Sequence, residues 1–156
     1  TESQTAFELL LDIDRRCRLL AADLPSDPAA RDALLLAALG SPDPYGRQID
    51  GLGGATSSTS KVVVVAPASR PDCDVDYRFG AVAIDQALID WSGNCGNLTA
   101  AVGPFAIHAG LLRPADGTAV IRLWQAGVGE RIELEQVDSY RLELENMSDA
   151  IRCDGG

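Results

Sequence analysis

Four consecutive valines form the clearest hydrophobic pattern in the chain, in the stretch KVVVVAPAS that begins at Lys61. Valine is β-branched and favours extended backbone, and the run is too short for a buried helix of ordinary length before Pro67 closes it. The pattern therefore predicts a strand with both faces buried. Alternation of apolar and polar positions predicts five further strands, at residues 74–85, 87–92, 118–127, 130–137 and 139–146.

Two other segments carry helical patterns. In SDPAARDALLLAALG, Ser26 or Asp27 suits the N-cap and Gly40 suits the stop, so a short helix is predicted between them. The second helix is predicted from about Gly96 to Gly110, and its apolar residues lie on all sides, which is typical of a core helix. Together these elements predict an α+β fold in which a mostly antiparallel sheet wraps around one central helix.

The composition fits a single compact domain. The chain has 156 residues, of which 46% are hydrophobic, so residues 1–156 suffice for one core. A formal net charge of −10 repels nucleic acid and anionic membrane surfaces, so neither is expected as a partner. Because the chain shows no apolar stretch of about 18 residues and no basic and apolar leader at its start, we expect a cytoplasmic protein.

The cysteine pattern argues against a metal site. Cys17, Cys73, Cys95 and Cys153 are far apart and include no CxxC pair, so free thiols are expected. His108 is a conceivable fourth ligand, but a lone histidine in an apolar helix is more often packed or partly exposed than bound to metal. No metal is therefore expected.

The first candidate site is the sequence SGNCGN, residues 92–97, at the start of the predicted core helix. The first N–H groups of a helix lack internal partners and attract carboxylates or phosphates. Gly93 and Gly96 allow close approach to the backbone, and Asn94 and Asn97 offer side-chain amides. Cys95 lies among these donors, where an accessible thiol is typically reactive. The alternative is a helix cap with a buried, inert cysteine.

The second candidate site is the loop DGLGGATSSTSK, within a long stretch rich in Pro, Gly, Ser and Thr that should form a surface loop. It fails the dinucleotide fingerprint because Thr56 stands where the third glycine belongs, and it also fails the P-loop pattern. It ends at Lys61, and a desolvated lysine can act as a base, although a solvated lysine beside a strand is commoner. Its candidate substrate-binding hydroxyls are Ser57, Ser58, Thr59 and Ser60.

Four stretches, ARDALLL, GSPDPYGRQIDGLGGATSSTSK, DVDYRFG and DWSGNCGNLTAAVGPFAI, resemble the PrpF family of 2-methylaconitate cis-trans isomerases, which share the diaminopimelate epimerase fold. The resemblance runs from about Leu19 to Arg131 and is specific, because several long motifs occur in order. It implies two similar lobes, each a sheet around a central helix, with the active site in the cleft between them. It also implies that Lys61 and Cys95 are the active-site pair.

The chain departs from the family pattern at residues 1–18 and 137–156. Family members carry a loop like RGGTSKG, which helps form the substrate site, where this sequence has ELLLDIDRRCRLL. The resemblance also implies family members that are roughly twice as long as this chain. The comparison therefore predicts a chain that contains the first lobe without the second.

The resemblance implies an isomerase of small unsaturated tricarboxylates that needs no cofactor. Lys61 would remove an allylic proton beside a carboxylate, and the helix start at Cys95 to Asn97 would hold the resulting enolate. Two alternatives stay open. One is a tautomerase of an oxalomesaconate-like acid that uses the same residues. The other is a stand-alone lobe that binds carboxylates without turnover and forms a homodimer through its exposed cleft face.

Overall fold

The computed structural model describes residues 18–113 and 119–136, and these form an α+β fold, as predicted. A short 3-10 turn, Ala21–Asp23, follows the first strand. The predicted strand at 139–146 lies outside the described residues. The other elements are β1 (Arg18–Leu20), α1 (Pro28–Leu39), β2 (Lys61–Pro67), β3 (Val75–Val82), β4 (Ile89–Asp90), α2 (Gly96–Ala100), α3 (Val102–His108), β5 (Ala119–Gln125) and β6 (Glu130–Gln136).

The six described strands form one mixed sheet in the order β1, β2, β3, β5, β6, with β4 paired to one end of β3. Within the described ranges, β2 with β3, β3 with β4, and β5 with β6 are antiparallel, whereas β1 with β2 and β3 with β5 are parallel. Antiparallel pairing therefore prevails only narrowly. A parallel neighbour needs a crossover connection, and the segment containing α2 and α3 supplies the one between β3 and β5.

The valines of β2 bury both faces of the sheet, as predicted. Their side chains alternate, so Val63 and Val65 face α2 and α3, whereas Val62 and Val64 face α1. Each of the four is at most 9% exposed, and full burial of a valine side chain contributes about 1.5 kcal/mol or more to folding. The sheet lies between two helical layers, so the expectation of one central helix describes only the α2 and α3 side.

The predicted core helix at 96–110 is divided into two short helices at Ala101. Pro104 explains the division, because it has no N–H group to donate to the carbonyl of Ala100 four residues earlier. Gly110 adopts a left-handed conformation with φ +76° just beyond the second helix, close to the predicted end of the core helix. The most buried residues of α3 are Val102, Gly103 and Ala106.

Helix α1 begins and ends as its sequence predicts. The side chain of Asp27 accepts a hydrogen bond from the Ala30 N–H at 2.8 Å, which identifies Asp27 rather than its neighbour as the N-cap. Gly40 ends the helix in the left-handed conformation. Leu35 and Leu39 are buried against the sheet. No helix in the described part of the chain combines the length and apolar character needed to cross a membrane.

Candidate active site

Lys61 and Cys95 meet on the α2 and α3 face of the sheet. Lys61 is the first residue of β2, and its Nζ donates a hydrogen bond to Cys95 Sγ at 3.6 Å. The same Nζ lies 5.9 Å from the centre of the Phe79 ring, where the aromatic face stabilises a cation. Both side chains are half-buried. The sequence-based expectation that two distant loops bring these side chains together therefore matches the geometry.

A buried hydroxyl network holds the loop that carries Cys95. Tyr77 is only 1% exposed, and its hydroxyl donates a hydrogen bond to Asn94 Oδ1 at 3.2 Å. The same hydroxyl lies 2.9 Å from Thr99 Oγ1. The Thr99 hydroxyl also lies 3.0 Å from the Cys95 carbonyl oxygen and 3.1 Å from Asn94 Oδ1. Burial raises the pKa of Tyr77, so its hydroxyl stays a donor across the physiological range.

This network also orients the amide of Asn94. Its Oδ1 is turned inward toward Tyr77 and Thr99, and the residue as a whole is exposed. The amide nitrogen is the hydrogen-bond donor that remains on this exposed side chain. The substrate-binding role of Asn94 stays a prediction.

Gln125 holds the other end of the same loop and was not found by sequence reasoning. Its side chain is fully buried at the end of β5, and its Nε2 donates to the Gly93 carbonyl at 2.9 Å. Its Oε1 accepts hydrogen bonds from the N–H groups of Gly127 and Val128. The turn between β5 and β6 is thereby connected to the SGNCGN loop. An amide at the end of an alternating strand gave no sequence signal of such a role.

Asp90 closes the start of the loop. Its Oδ1 accepts hydrogen bonds from the hydroxyl of Ser92 at 2.6 Å and from the Ser92 N–H at 2.9 Å. These bonds, with the hydroxyl contributing most, lower the pKa of Asp90 below its usual range. The carboxylate is therefore ionised at neutral pH and fixes the chain direction between β4 and Cys95.

Helix α2 begins with free backbone donors, although it is shorter than predicted. Gly96 is exposed, and a Cβ placed on it would meet nothing within 4 Å, so a ligand has access to this part of the backbone. The first N–H groups of a helix have no intrahelical acceptor. Because α2 has only five residues, its macrodipole contributes little and the individual N–H groups matter more. The side chain of Asn97 lies outside what the structure describes.

The hydroxyls of the second loop fall into two groups. Ser57 and Ser58 are exposed, and Thr59 is half-buried. The hydroxyls of Ser58 and Thr59 lie 2.9 Å and 2.8 Å from Thr56 Oγ1, in a cluster just before Lys61. These three predicted substrate-binding residues keep some access to solvent.

Ser60 has a structural role instead, because its hydroxyl is used inside the fold. It is 1% exposed, donates to the Val82 carbonyl at 2.8 Å and accepts from Gln48 Nε2 at 2.8 Å. Gln48, also buried, donates to Ser41 Oγ at 2.7 Å and accepts from the Ala55 N–H at 2.9 Å. This second buried glutamine, which sequence reasoning missed, fixes the long loop so that Lys61 has a defined position.

The half-buried lysine and cysteine pair lies outside the two best-defined cavities of the described residues. One cavity, of about 800 Å³, is lined by residues between 37 and 50, and another, of about 290 Å³, lies on the α1 face. Neither is lined by Lys61 or Cys95. The described residues contain no group of three or more His, Cys, Asp or Glu side chains suited to a metal ion. Cys73 and Cys95 are free thiols.

The fold and the site together define an α+β unit with a lysine and cysteine pair beside a loop of glycines and asparagines. The sequence profile of the PrpF protein family matches residues 14–147. The chain therefore belongs to the PrpF family.

Two curated relatives of the chain are named as isomerases. It is 64% identical over 107 residues to 2-methyl-aconitate isomerase of Cupriavidus necator, a match that covers 66% of this chain and 27% of that protein. It is 52% identical over 111 residues to (4E)-oxalomesaconate Delta-isomerase of Novosphingobium sp. strain KA1, covering 71% of this chain and 30% of that protein. The chain thus spans about three tenths of the length of these relatives.

A solved structure extends the likeness to three dimensions. The chain resembles the crystal structure of a methylitaconate-delta-isomerase with a TM-score of 0.72 and 42% sequence identity. The match covers 76% of this chain and 52% of that one. At this identity, the similarity supports a common arrangement of the strands and helices that carry Lys61 and Cys95.

Proposed function

We propose that this chain carries the proton-transfer side of an isomerase that acts on small unsaturated tricarboxylates of the 2-methylaconitate type. The observation that carries the proposal is the 3.6 Å contact between Lys61 Nζ and Cys95 Sγ beside the free donors of the SGNCGN loop. The name of the Cupriavidus necator relative supports the substrate class.

In this proposal, Lys61 acts as the general base. Its neutral amine takes the allylic proton from the carbon beside a carboxylate, and the electron pair of that C–H bond spreads into an extended enolate. The former double bond then has single-bond character and can rotate. The Lys61 ammonium returns the proton, so no atom is gained or lost and the geometry about the double bond is changed.

The SGNCGN loop is proposed to stabilise the enolate. Negative charge that develops on the substrate carboxylate is met by the amide of Asn94 and by the N–H groups at Gly96 and Asn97. Ser57, Ser58 and Thr59 lie on the Lys61 side and are proposed to bind a second carboxylate. These donors attract an anion locally, although the net charge of the chain is −10.

Cys95 has two proposed roles that lead to different experimental results. As an orienting group, its sulfur fixes the Lys61 amine through the observed hydrogen bond. As a second acid, it returns a proton to the substrate from the other side of the reacting carbon. Replacement by serine preserves the first role better than the second.

We further propose that the described unit is one lobe of a diaminopimelate epimerase-like fold and that a second lobe covers the site. The pair is only half-buried and lines neither cavity, which supports this proposal because proton abstraction from carbon benefits from exclusion of water. A homodimer would supply a covering surface in another way. The self-association and the cytoplasmic location stay predictions.

Tautomerisation of an oxalomesaconate-like acid is a second candidate function. The name of the Novosphingobium relative favours it, and the same base and donors serve both reactions. The two reactions differ in where the proton returns. A lobe that binds carboxylates without turnover is the third candidate, and it is favoured for the chain alone because the match covers only 27% of the Cupriavidus necator relative.

Proton NMR in deuterium oxide tests these proposals together. The chain is incubated separately with 2-methylaconitate, cis-aconitate, trans-aconitate and oxalomesaconate. Isomerisation with incorporation of deuterium at the allylic carbon is expected if Lys61 exchanges its proton with solvent. Saturable binding without exchange supports the carboxylate-binding lobe, and isomerisation without any deuterium incorporation argues against a solvent-exchanging lysine base.

A further inference from the structure

The cavity of about 290 Å³ on the α1 face of the sheet has the features of a second ligand site. Its apolar walls include Leu24, Pro25 and Val64, and its charged lining comes from Arg31, Asp76 and Arg78. A water molecule occupies about 30 Å³ in the liquid, so this space exceeds what one bridging water fills. A small organic molecule fits it better.

Two opposite charges in this cavity lack the partners that buried polar groups normally have. Asp76 is 9% exposed, and its Oδ1 has no hydrogen-bond partner in the structure; nor has the buried Nε of Arg78. Both residues lie on β3 and face the same side, because side chains alternate along a strand. Buried charge without a partner is costly, so a ligand of complementary charge that contacts the two side chains where they line the cavity offsets part of that cost.

Arg78 stacks on the Trp91 ring, and it forms no ion pair within the described residues. Its guanidinium lies 5.1 Å from the centre of the Trp91 ring, and that of Arg31 lies 5.0 Å from the same centre. The Trp91 Nε1 donates to Asp32 at 3.1 Å, and Asp32 also binds Arg31 at 2.8 Å. The charge of Arg31 is therefore largely offset by its neighbour, whereas Arg78 remains available to a ligand.

We propose that this cavity binds a small α-amino acid with an apolar side chain. Its ammonium group pairs with the Asp76 carboxylate, its carboxylate pairs with the Arg78 guanidinium, and its side chain contacts Leu24 and Val64. A carboxylate without an ammonium group would meet the negative charge of Asp76, and an amine without a carboxylate would meet the positive charge of Arg78. Only a ligand with both charges satisfies both groups.

The cavity is separate from the candidate active site. In the pairing of β2 with β3, Arg78 is opposite Val64, whose side chain belongs to the α1 face. Lys61 shares the other face with Val63. An amino acid in the cavity would therefore leave the Lys61 surface accessible, and its binding does not depend on the proposed isomerase activity.

A ligand series on the unaltered chain tests the proposal by isothermal titration calorimetry. L-valine is compared with isovalerate, which lacks the ammonium group, and with isobutylamine, which lacks the carboxylate. L-valine is expected to bind saturably, and each half-ligand at least about tenfold more weakly. Absence of saturable L-valine binding at millimolar concentration overturns the proposal, as does equal affinity for either half-ligand.

Variants then locate the site. Asp76→Asn is expected to weaken L-valine by about tenfold or more and to strengthen isovalerate, because the repelling charge is gone. Arg78→Gln should weaken L-valine and isovalerate alike. The control Asp72→Asn alters an exposed pair with Arg70 and should change neither ligand. Unchanged L-valine binding in Asp76→Asn rejects the site, and if a variant fails to fold, the ligand series on the unaltered chain still decides.

Trp91 gives a spectroscopic readout at the cavity. The chain has two tryptophans, so a Trp124→Phe background leaves Trp91 as the only indole emitter. L-valine is expected to shift the Trp91 emission in that background, because the ligand engages the guanidinium stacked on the ring. Calorimetric binding without any change in Trp91 emission would place the amino acid elsewhere and contradict the assignment.

Discussion

The position of Lys61 follows from strand pairing at one end of the sheet. Ala81 of β3 pairs with Lys61 on one side and with Asp90 of β4 on the other. The chain that leaves β4 therefore enters the SGNCGN loop close to the start of β2. This arrangement brings Cys95 to Lys61, although 34 positions separate them in the sequence.

Replacement of Lys61 by alanine tests the base directly. Lys61 is the only lysine in the chain, so no second lysine can substitute for it. In a preparation with isomerase activity, Lys61→Ala is expected to lower kcat by about 100-fold or more, the usual scale for a general base. Lys61→Arg should be as inactive, because arginine keeps the charge but does not release its proton. Near-normal kcat in either folded variant would reject the lysine-base mechanism.

Alkylation with iodoacetamide near neutral pH tests the environment of Cys95. Cys95 is half-buried beside the Lys61 amine, whereas Cys73 is only 6% exposed. Cys95 is therefore expected to react faster than Cys73, as measured by peptide mass mapping after timed quenching. Lys61→Met should slow the labelling of Cys95 and leave Cys73 unchanged. Equal rates for the two thiols would favour a cap with an inert cysteine.

At the scale of elements, local patterns predicted most boundaries within the described residues. The valine run of β2, the alternation of β3, β5 and β6, and the capping signals of α1 all depend on neighbouring residues, and all are present. Strand β4 is shorter than predicted, with two residues against a predicted span of 87–92. The apolar pattern of residues 96–110 is continuous and does not show the break at Ala101, which is explained by Pro104.

The long-range polar contacts were beyond prediction from sequence. Gln48 and Gln125 are polar residues that sequence rules place at the surface, and both are buried. Their partners lie on other elements, so their roles depend on how loops cross the sheet. For the same reason, the structural role of Ser60 differed from its predicted role in substrate binding. The glycines and asparagines of the site were recognisable because their chemistry is local.

Gln125→Met tests how far one buried amide supports the site loop. Methionine has a similar size but leaves the Gly93 carbonyl and the Gly127 and Val128 N–H groups without their partner, so the free energy of unfolding should fall by about 2–4 kcal/mol. Urea denaturation measures this loss. Gln86→Met at an exposed position is the matched control and should change stability little. A loss no larger than in the control would show that the Gln125 bonds do not hold the loop.

The pair of Asp74 and Arg122 ties the start of β3 to β5. Arg122 donates from Nε and Nη2 to the Asp74 carboxylate at 2.9 Å and 2.7 Å, and its backbone N–H donates at 2.8 Å. The Arg122 side-chain bonds, the largest contribution, lower the pKa of Asp74 below its ordinary value of 3.8. A lowered pKa in the folded state stabilises the fold above that ordinary value, and this stabilisation is lost as pH falls through the lowered pKa.

Asp74→Asn should therefore reduce stability near neutral pH and have a smaller effect in acid. The expected loss is about 1 kcal/mol near pH 7, kept small because the Arg122 side chain is 44% exposed. The difference from the unaltered chain should shrink as pH falls below 3.8. Urea denaturation across this range measures it, with Asp72→Asn as an exposed control. A difference independent of pH would contradict the charge-based role of Asp74.

At the scale of the whole molecule, the two faces of the sheet are chemically different. The α2 and α3 face carries the half-buried lysine and cysteine pair, whereas the α1 face carries a cavity lined by the oppositely charged side chains of Asp76 and Arg78. The chain spans 27% of the Cupriavidus necator relative. If a second surface covers Lys61 and Cys95, we therefore expect it to correspond to the parts of the relatives that this chain does not match.

A chimeric enzyme tests whether this unit can act within a complete isomerase. The matched region of the Cupriavidus necator 2-methyl-aconitate isomerase is replaced by the corresponding region of this chain, which is 64% identical over 107 residues. Because the pair and its donor loop are proposed to supply the proton-transfer side, the chimera should retain kcat/KM for 2-methylaconitate within about tenfold of the parent. In the same chimera, Lys61→Ala should lower kcat by about 100-fold or more.

The parent enzyme controls for the substrate, and circular dichroism controls for folding of both chimeras. A folded chimera without activity on 2-methylaconitate or oxalomesaconate would contradict the proposed function. In that chimera the rest of the active enzyme is present, so the loss of activity would come from the unit supplied by this chain.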